Sequence, residues 1–297
     1  MTVTALVVAT YSRRMQLLLP DGRRVDARIK GKRIRPVCGD RVEAEPIPDE
    51  PDWLITAVCD RRNELTRPNL RGKVEILAAN IDRLLVMAAP TPYPEWSIVD
   101  RYLCAAELIG ASAAVIFNKS DLAAPESVDD VLNDYARIGY RAVRCSAKQG
   151  LNIEAVTDLM RDGVSIIVGQ SGVGKSSLIN RLLQDDRQRV AAISDKSGEG
   201  RHTTVNSAML QLPGGGAVID SPGVRDYAPA LRPEEVVAGY REICGAAHDC
   251  RFANCRHLRE PGCAVKGAVE TGTISKRRYD SYRHLLALTE KLTRKPY

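Results

Sequence analysis

The stretch that determines the fold reads Gly169-Gln170-Ser171-Gly172-Val173-Gly174-Lys175-Ser176 and matches the pattern G-x-x-x-x-G-K-[ST]. It follows an apolar run at residues 164–168 and continues into a helical pattern that begins at Ser177. A strand, loop and helix of this kind turn backbone N–H groups toward phosphates, with the lysine's charge beside them and the serine hydroxyl available to Mg²⁺. We therefore predict a nucleotide phosphate loop rather than a structural glycine turn.

The sequence around this loop predicts a parallel β-sheet. Apolar runs at residues 81–89, 113–117, 142–145 and 164–168 alternate with helical stretches at residues 96–109, 127–138 and 153–161. This alternation is typical of βαβ units. Because ligands bind at the carboxyl ends of strands in such sheets, motifs that follow a strand directly are candidates for the binding site.

Two short motifs upstream of the phosphate loop predict a guanine site. Asn118-Lys119-Ser120-Asp121 matches N-K-x-D after one predicted strand, and Ser146-Ala147-Lys148 follows the next. The Asp121 carboxylate would accept the ring N–H and the exocyclic amine of guanine, a pair of donors that adenine does not present. A backbone N–H of the second motif would meet the guanine oxygen. Taken alone, N-K-x-D is also consistent with a capping Asn or Asp.

Two motifs downstream predict the Mg²⁺ and γ-phosphate side of the site. Asp220-Ser221-Pro222-Gly223 matches D-x-P-G, in which the aspartate holds Mg²⁺ through water and the glycine N–H senses the γ-phosphate. A threonine of the polar stretch Gly200-Arg201-His202-Thr203-Thr204 would complete the Mg²⁺ shell. The predicted Mg²⁺ ligands are Ser176, Thr203, Thr204 and Asp220, and the predicted GTP-binding residues are Asn118, Lys119, Asp121, Ser146, Ala147, Lys148, Gly169, Gln170, Ser171, Gly172, Val173, Gly174, Lys175, Ser176, Ser177, Asp220 and Gly223.

The order of these motifs indicates a circularly permuted GTPase domain. In ordinary GTPases the phosphate loop comes first, whereas here N-K-x-D and Ser146-Ala147-Lys148 precede it. The permutation places D-x-P-G within about thirty residues of the C-terminal cysteines. We therefore expect the nucleotide state to influence the position of a C-terminal domain.

The N-terminal segment predicts a small β-barrel. Alternating strands at residues 5–9, 15–19, 25–29 and 41–44 are separated by Asp21-Gly22 and Gly39-Asp40 turns. Barrels of this size are often OB-folds that bind oligonucleotides, although the pattern alone does not exclude other small barrels.

The C-terminal region predicts a structural zinc site in a helical domain. The chain has eight cysteines, of which Cys250, Cys255 and Cys263 stand with His257 in the spacing C-x4-C-x-H-x5-C. Three thiolates and one imidazole suit tetrahedral Zn²⁺ and leave no open position. Buried cysteines without a metal are the alternative.

Charge is distributed unevenly along the 297 residues, whose net charge is +6. Residues 1–70 and 241–297 carry +3 and +6, and the middle carries −3. The two basic ends, including the run Lys276, Arg277 and Arg278, could bind one polyanion, or could be solvated faces. No run of 18 apolar residues and no signal-peptide pattern is present. We therefore expect a cytoplasmic protein without a membrane partner.

Together these motifs resemble those of the RsgA family, also called YjeQ, of GTPases that depend on the small ribosomal subunit. The resemblance covers nearly the whole chain and rests on residues 169–180, Gly200-Arg201-His202-Thr203-Thr204, Asp220-Ser221-Pro222-Gly223 and Val37-Cys38-Gly39-Asp40-Arg41-Val42. It implies a role in late maturation of the small (30S) subunit, with the barrel and the zinc domain on ribosomal RNA and with the subunit stimulating hydrolysis of GTP to GDP and phosphate. We expect a monomer that uses Mg²⁺ with GTP and one structural Zn²⁺.

The resemblance also implies the catalytic residue. The position that holds a water-orienting glutamine in many GTPases is Val224 here, so another group must orient the water. His202 is the polar candidate, and the family's G-x-H-T-T histidine implies a role in hydrolysis. A structural or ribosome-contacting histidine is the alternative. We expect slow hydrolysis without an activator.

The sequence thus predicts a multi-domain protein. Its parts are an N-terminal OB-type β-barrel at residues 1–68, a central circularly permuted α/β P-loop GTPase domain at residues 69–230, and a C-terminal α-helical zinc-binding domain at residues 231–297. Three alternatives remain at this stage: an RNA-binding module that uses hydrolysis only for release, an ATPase or kinase on the same loop, and a GTPase that acts on the large subunit or on tRNA.

Overall fold

The computed structural model of the chain describes most of its length. The described residues are 2–11, 14–31, 34–68, 74–124, 127–183, 205–221 and 231–293. Among them, no helix is both long and apolar enough to pass through a bilayer.

The N-terminal unit is a closed five-stranded barrel. Its strands are β1 (Val3–Tyr11), β2 (Met15–Leu18), β3 (Arg24–Ile29), β4 (Arg41–Pro46) and β5 (Trp53–Val58). They pair in the order β1-β2-β3-β5-β4, and β4 pairs with β1 to close the barrel. The parallel pair is β3 with β5, and the others are antiparallel. This closed five-stranded barrel confirms the OB-type prediction.

The barrel core follows from the period-two pattern of its strands. In β4, Val42 and Ala44 are buried while Arg41 and Glu43 are exposed, since successive side chains of a strand point to opposite faces. The buried set is Ala5, Val7, Met15, Leu17, Leu19, Ala27, Val42, Ala44 and Ile55.

The central unit is a three-layer α/β domain, as predicted. Its parallel strands pair in the order β10-β9-β8-β11-β13. They are β8 (Arg83–Ala88), β9 (Ser112–Phe117), β10 (Arg141–Arg144), β11 (Val164–Gly169) and β13 (Ala217–Asp220), with helices α1 (Trp96–Leu108), α2 (Ser127–Arg137), α3 (Ile153–Met160) and α4 (Lys175–Leu182). One face packs on α1 and α2, and the other packs on α3 and α4.

Two further features join this domain to the barrel. Strand β12 (Val205–Gln211) is antiparallel both to β13 and to β1, so the barrel and the central sheet form one continuous sheet. Strands β6 (Glu64–Pro68) and β7 (Val74–Ala79) form a separate ribbon, which crosses the predicted boundary between residues 68 and 69.

The Val37–Arg41 segment of the barrel is hydrogen-bonded to the start of the central domain. Gly39 has φ +95°, and a Cβ there would lie 2.1 Å from the carbonyl oxygen of Ala79. The Ala79 N–H donates to the carbonyl of Cys38 at 3.1 Å, and the Asn80 side chain donates to the carbonyl of Gly39 at 2.9 Å. Glycine is needed here because the barrel backbone approaches the start of the central domain so closely.

The C-terminal unit is helical and packs on α1. It comprises a 3-10 helix (Pro233–Gly239), α5 (Arg241–Ala247), α6 (Ala264–Glu270) and α7 (Lys276–Thr293). Its core is centred on Val236, Tyr240, Ile243, Val265, Ile274, Tyr279, Tyr282, Leu285 and Leu286. A Cβ on Gly239 would lie 2.1 Å from the Sγ of Cys104, which shows how closely the 3-10 helix approaches α1.

Buried ion pairs hold this contact together. The Arg278 guanidinium is 1% exposed and donates to Asp100 on α1 at 2.8 Å and to Glu242 on α5 at 2.7 Å. Arg277 donates to the same Asp100 at 3.0 Å, and Tyr135 on α2 donates to it at 2.7 Å. The basic run at the start of α7 is therefore only partly a surface: Lys276 is exposed, but Arg277 and Arg278 neutralise Asp100 and Glu242 inside the protein.

Candidate nucleotide site and metal centre

The phosphate loop lies between β11 and α4, at the carboxyl end of the parallel sheet. Gly169 has φ +135°, and a Cβ there would lie 2.2 Å from the carbonyl oxygen of Met87 on β8. Gly174 has φ +97°, and its Cβ would lie 2.4 Å from the Nδ2 of Asn118. A side chain fits at neither position, so the two glycines are required by the neighbouring strand and by the N-K-x-D loop.

The phosphate loop carries a lysine ammonium group and two exposed serines. The Nζ of Lys175 lies 2.8 Å from the carbonyl oxygens of both Gly169 and Gln170, which holds the ammonium group across the loop. Ser176 and Ser177 are exposed in the first turn of α4, where backbone N–H groups favour an anion. The loop therefore has the charge and the donors that a polyphosphate needs.

Asn118 connects the base loop with the phosphate loop. Its side chain is buried, with Nδ2 donating to the carbonyl of Val173 at 2.9 Å and Oδ1 accepting from the backbone N–H of Ala147 at 3.0 Å. Three motifs that are far apart in sequence therefore meet at one amide.

The environment of Asp121 favours the ionised form of its carboxylate, which accepts hydrogen bonds. The hydroxyl of Ser146 donates to its Oδ1, and this hydrogen bond lowers the pKa of Asp121, with a smaller contribution from the positive charges of Lys148 and Lys119. The Asp121 side chain is exposed, so its carboxylate is accessible to a ligand. An ionised carboxylate in this position can accept the two N–H donors of guanine.

Lys119 lies along the other side of the phosphate loop. Its Nζ donates to the carbonyl of Thr91 at 2.7 Å and to the carbonyl of Gly172 at 2.8 Å. Gln170 of the phosphate loop donates to Glu95, the residue before α1, at 3.1 Å. The loop that follows β8 therefore forms a third wall of the site.

Asp220 ends β13, next to the strand that leads into the phosphate loop. Burial raises the pKa of Asp220, and the charge of Lys175 opposes that rise, so the two groups interact electrostatically. Ser176 and Asp220 are the predicted Mg²⁺ ligands that the structure describes, and oxygen donors of these types suit Mg²⁺. The predicted residues His202, Thr203, Thr204 and Gly223 lie outside the described residues.

The cysteine and histidine cluster is assembled in the C-terminal unit. The ligand atoms of Cys250, Cys255, His257 and Cys263 all lie within 4.8 Å of one another. The Nδ1 of His257 is 3.5 Å from the Sγ of Cys250 and 3.4 Å from that of Cys263, and these two sulfurs are 3.9 Å apart. A tetrahedral site with Zn–S bonds of about 2.3 Å and a Zn–N bond of about 2.0 Å has ligand separations of about 3.5–3.8 Å. The cluster therefore fits a metal of this kind.

Neighbouring groups hold the metal loop in place. The hydroxyl of Tyr279 on α7 donates to the carbonyl of His257, which has φ +58°. Burial by itself raises the pKa of Glu260, but its carboxylate accepts the backbone N–H groups of Arg256, Leu258 and Arg259, and backbone hydrogen bonds together bring the pKa down to about 2. The ligands are thus oriented by the protein around them.

Known proteins with similar sequences are GTPases, in agreement with the nucleotide site described above. A family model described as RsgA GTPase matches residues 58–229, which is more than half of the chain. The chain belongs to the RsgA GTPase family. It is therefore a GTP-hydrolysing enzyme. Its motifs stand in permuted order, with the base loop before the phosphate loop, and they belong to one folded α/β domain.

Relatives match the RsgA-family chain over most of its length. The small ribosomal subunit biogenesis GTPase RsgA of Azotobacter vinelandii is 43% identical over 255 residues, covering 84% of this chain and 74% of the relative. The protein of that name from Pseudomonas aeruginosa LESB58 is 38% identical and covers 96% of this chain and 85% of the relative. The crystal structure of YjeQ from Thermotoga maritima has a TM-score of 0.77 at 28% identity, with 100% of both chains covered.

Sequence reasoning missed the wall formed by Thr91 and Glu95 in this RsgA-family chain. A signal was present, because the proline-rich stretch at residues 90–94 directly follows an apolar run and so stands at the carboxyl end of a predicted parallel strand. It matches no phosphate or base motif, and its contact with Lys119 and Gln170 depends on the tertiary fold.

Proposed function

We propose that the chain acts in the biogenesis of the small ribosomal subunit, and that binding to this subunit stimulates its hydrolysis of GTP to GDP and phosphate. The similarity to named small ribosomal subunit biogenesis GTPases, over 96% of the chain for the relative from P. aeruginosa, carries the proposal. The net charges of +3 in residues 1–70 and +6 in residues 241–297 support an RNA partner for the barrel and the C-terminal unit, and part of the second charge is neutralised by Asp100 and Glu107 of the central domain.

The nucleotide would be held by the two connected halves of the site. The phosphate loop from Gly169 to Ser177 would bind the phosphates, and Asp121, with Asn118, Lys119 and the Ser146–Lys148 motif, would bind guanine. Ser176 and Asp220, together with Thr203 or Thr204, would hold Mg²⁺, which neutralises charge on the phosphates when bound. The Gly223 N–H would sense the γ-phosphate.

His202 would orient the attacking water in the absence of a glutamine after D-x-P-G. Replacing His202 with Ala is expected to lower stimulated kcat by at least about a hundredfold while GDP affinity stays within about twofold, because the residue acts on water and not on the base. His284→Ala, on the exposed part of α7, is the matched control. Unchanged kcat in His202→Ala would assign the histidine to structure or to ribosome contact.

The Cys250, Cys255, His257 and Cys263 cluster would hold one structural Zn²⁺. Elemental analysis is expected to find about one zinc per chain in the wild type and in Cys59→Ser, and almost none in Cys255→Ser. A zinc-free wild type that keeps its thermal stability would exclude a structural zinc. We further propose that the protein is a cytoplasmic monomer with three domains, at residues 1–68, 69–230 and 231–297, of which the first two share the β6–β7 ribbon at their boundary.

Co-sedimentation with ribosomal subunits tests the partner directly. With a non-hydrolysable GTP analogue, the chain is expected to sediment with small subunits and not with large ones, and binding should weaken steeply as salt rises. With GDP it is expected to stay mostly in the supernatant. Equal binding to both subunits would contradict a specific small-subunit partner and would indicate binding to RNA without selectivity.

A further inference from the structure

The start of β12 is held by the barrel rather than by the central sheet. Residues Ala208 to Gln211 pair with β13, whereas Ala208, Ser207 and Val205 pair with Ala9, Thr10 and Tyr11 of β1. The register shifts between Thr10 and Tyr11, which leaves Asn206 as an extra residue on β12. Along the chain, β12 therefore pairs first with β1 and then, from Ala208 onward, with β13. The stretch that carries His202, Thr203 and Thr204 directly precedes β12 in the sequence.

A side-chain hydrogen bond connects β12 with the D-x-P-G segment at this point. The Oγ of Ser207 donates to the Oγ of Ser221 at 3.1 Å, and the two residues are 6% and 8% exposed. The β12–β13 ladder ends where Ala208 lies opposite Asp220, and Ser207 and Ser221 lie one residue beyond that last pair. The serine pair thus lies where both segments of the predicted γ-phosphate side meet the sheet.

We propose that Ser207 and Ser221 are a positioning pair for GTP hydrolysis. Their hydrogen bond holds the start of β12 against the residue that follows Asp220, and from these two serines the chain leads to the predicted His202 on one side and the predicted Gly223 on the other. This inference rests on the proposed roles of these residues. Ser207 stands three residues after Thr204, and Ser221 directly follows Asp220, so a shift of either serine moves the groups that position water and Mg²⁺.

If the serine pair positions catalytic groups, its loss should lower kcat and leave KM and nucleotide affinity unchanged. In Ser207→Ala and in Ser221→Ala, kcat with small subunits should fall about tenfold to a hundredfold, since misplacement of reacting groups by a fraction of an ångström is costly. KM for GTP and affinity for GDP should stay within about twofold, because the phosphate and base loops are untouched. The double variant should be no slower than the slower single variant, because both substitutions remove the same hydrogen bond.

Matched variants separate positioning from folding. Ser207→Thr and Ser221→Thr keep a hydroxyl, and at least one should recover half of the wild-type kcat. Ser165→Ala removes a hydroxyl from a fully buried serine on β11 that has no hydrogen-bond partner among the described residues, and it should leave kcat unchanged. Affinity for GDP reports in each case that the domain is folded.

Two results would overturn the proposal. One is stimulated kcat within about twofold of wild type in both alanine variants, and the other is a double variant whose loss is the product of the two single losses. If small subunits do not stimulate the wild type, the proposed partner fails, and the same comparison is then made on basal kcat. The serine pair is therefore tested whether or not the partner is correct.

Discussion

At the scale of the residue, Asn118 and Asp121 have different roles in the base loop. Asn118 is buried and binds the Val173 carbonyl and the Ala147 N–H, so its amide is used within the protein. Asp121 is exposed and its charge is supported by Ser146, so its carboxylate is accessible to the nucleotide. Specificity for guanine should therefore depend on Asp121, and loop geometry on Asn118.

Asp121→Asn should change the preferred base from guanine to xanthine. An amide offers an N–H donor where the carboxylate offered an acceptor, and xanthine presents a carbonyl where guanine presents its exocyclic amine. We expect hydrolysis of GTP to fall at least about a hundredfold and hydrolysis of XTP to appear. The measurement compares kcat/KM for GTP, XTP and ATP, with the exposed Asp129→Asn on α2 as the control. Loss of both activities without a change of preference would contradict a base-reading role.

Ser146→Ala should make nucleotide binding more sensitive to acid. The Ser146 hydroxyl stabilises the charged form of Asp121 and so lowers its pKa. Without it the pKa rises, and protonation removes the acceptor at a higher pH than in the wild type. Titration of GDP affinity from neutral pH down to about pH 4, near the usual pKa of Asp, should show the loss beginning earlier in the variant. Ser112→Ala, whose hydroxyl bonds the Asp82 carbonyl, is the control. Coincident curves for wild type and Ser146→Ala would refute this.

At the scale of the element, the phosphate loop keeps its shape because neighbouring backbone and side chains leave room only for glycine. Gly174→Ala places a Cβ 2.4 Å from Asn118, whereas Gly110→Ala, at φ +69°, meets nothing within 4 Å. Both variants bear the backbone strain of about 1–2 kcal/mol for a left-handed residue, but only the first disturbs the site. GDP affinity should fall at least about a hundredfold in Gly174→Ala and stay within about twofold in Gly110→Ala. Similar losses in both would indicate a general folding defect.

Local patterns were sufficient for most elements and for the motifs they carry. The predicted helix at residues 96–109 is observed as Trp96–Leu108, and the apolar run at residues 113–117 is observed within Ser112–Phe117, because periodicity is a local property. Strand β5 was missed, since its half-buried residues do not alternate clearly. The pairing of β12 with β1 was missed as well, because a contact between residues about 200 positions apart leaves no periodic signal.

At the scale of the whole molecule, the barrel and the C-terminal unit are joined to the central domain in different ways. The barrel shares main-chain hydrogen bonds with it through β1 and β12. The C-terminal unit is attached through arginines: Arg278 and Arg277 bind Asp100, and Arg241 donates to Glu107 at 2.9 Å and to the Gly139 carbonyl at 2.9 Å. The sequence predicted a basic surface at the start of α7, because nothing in the run itself indicates that distant carboxylates neutralise it.

Arg278→Ala should destabilise the contact between α7 and α1 strongly. Without Arg278 the Glu242 carboxylate loses its buried cation, and Asp100 keeps only Arg277 and Tyr135 as partners, which costs about 3 kcal/mol of the free energy of unfolding. Arg283→Ala breaks an exposed pair with Asp280 at 3.8 Å and should cost less than about 1 kcal/mol. Urea unfolding followed by tryptophan fluorescence can detect the difference, since Trp96 begins α1 and lies 6.1 Å from Tyr135 between ring centroids. Equal midpoints would show that the buried pair is not a major anchor.

As a whole, the molecule is a circularly permuted GTPase, and we propose that the small ribosomal subunit activates it. The most direct measurement is the rate of GTP hydrolysis by the purified protein alone, with small subunits and with large subunits, at low and moderate salt and with ATP as the control nucleotide. We expect slow turnover by the protein alone, strong stimulation by small subunits only, weaker stimulation at the higher salt, and no hydrolysis of ATP. Equal turnover with and without subunits would contradict the assigned partner, and equal hydrolysis of ATP would contradict the guanine site.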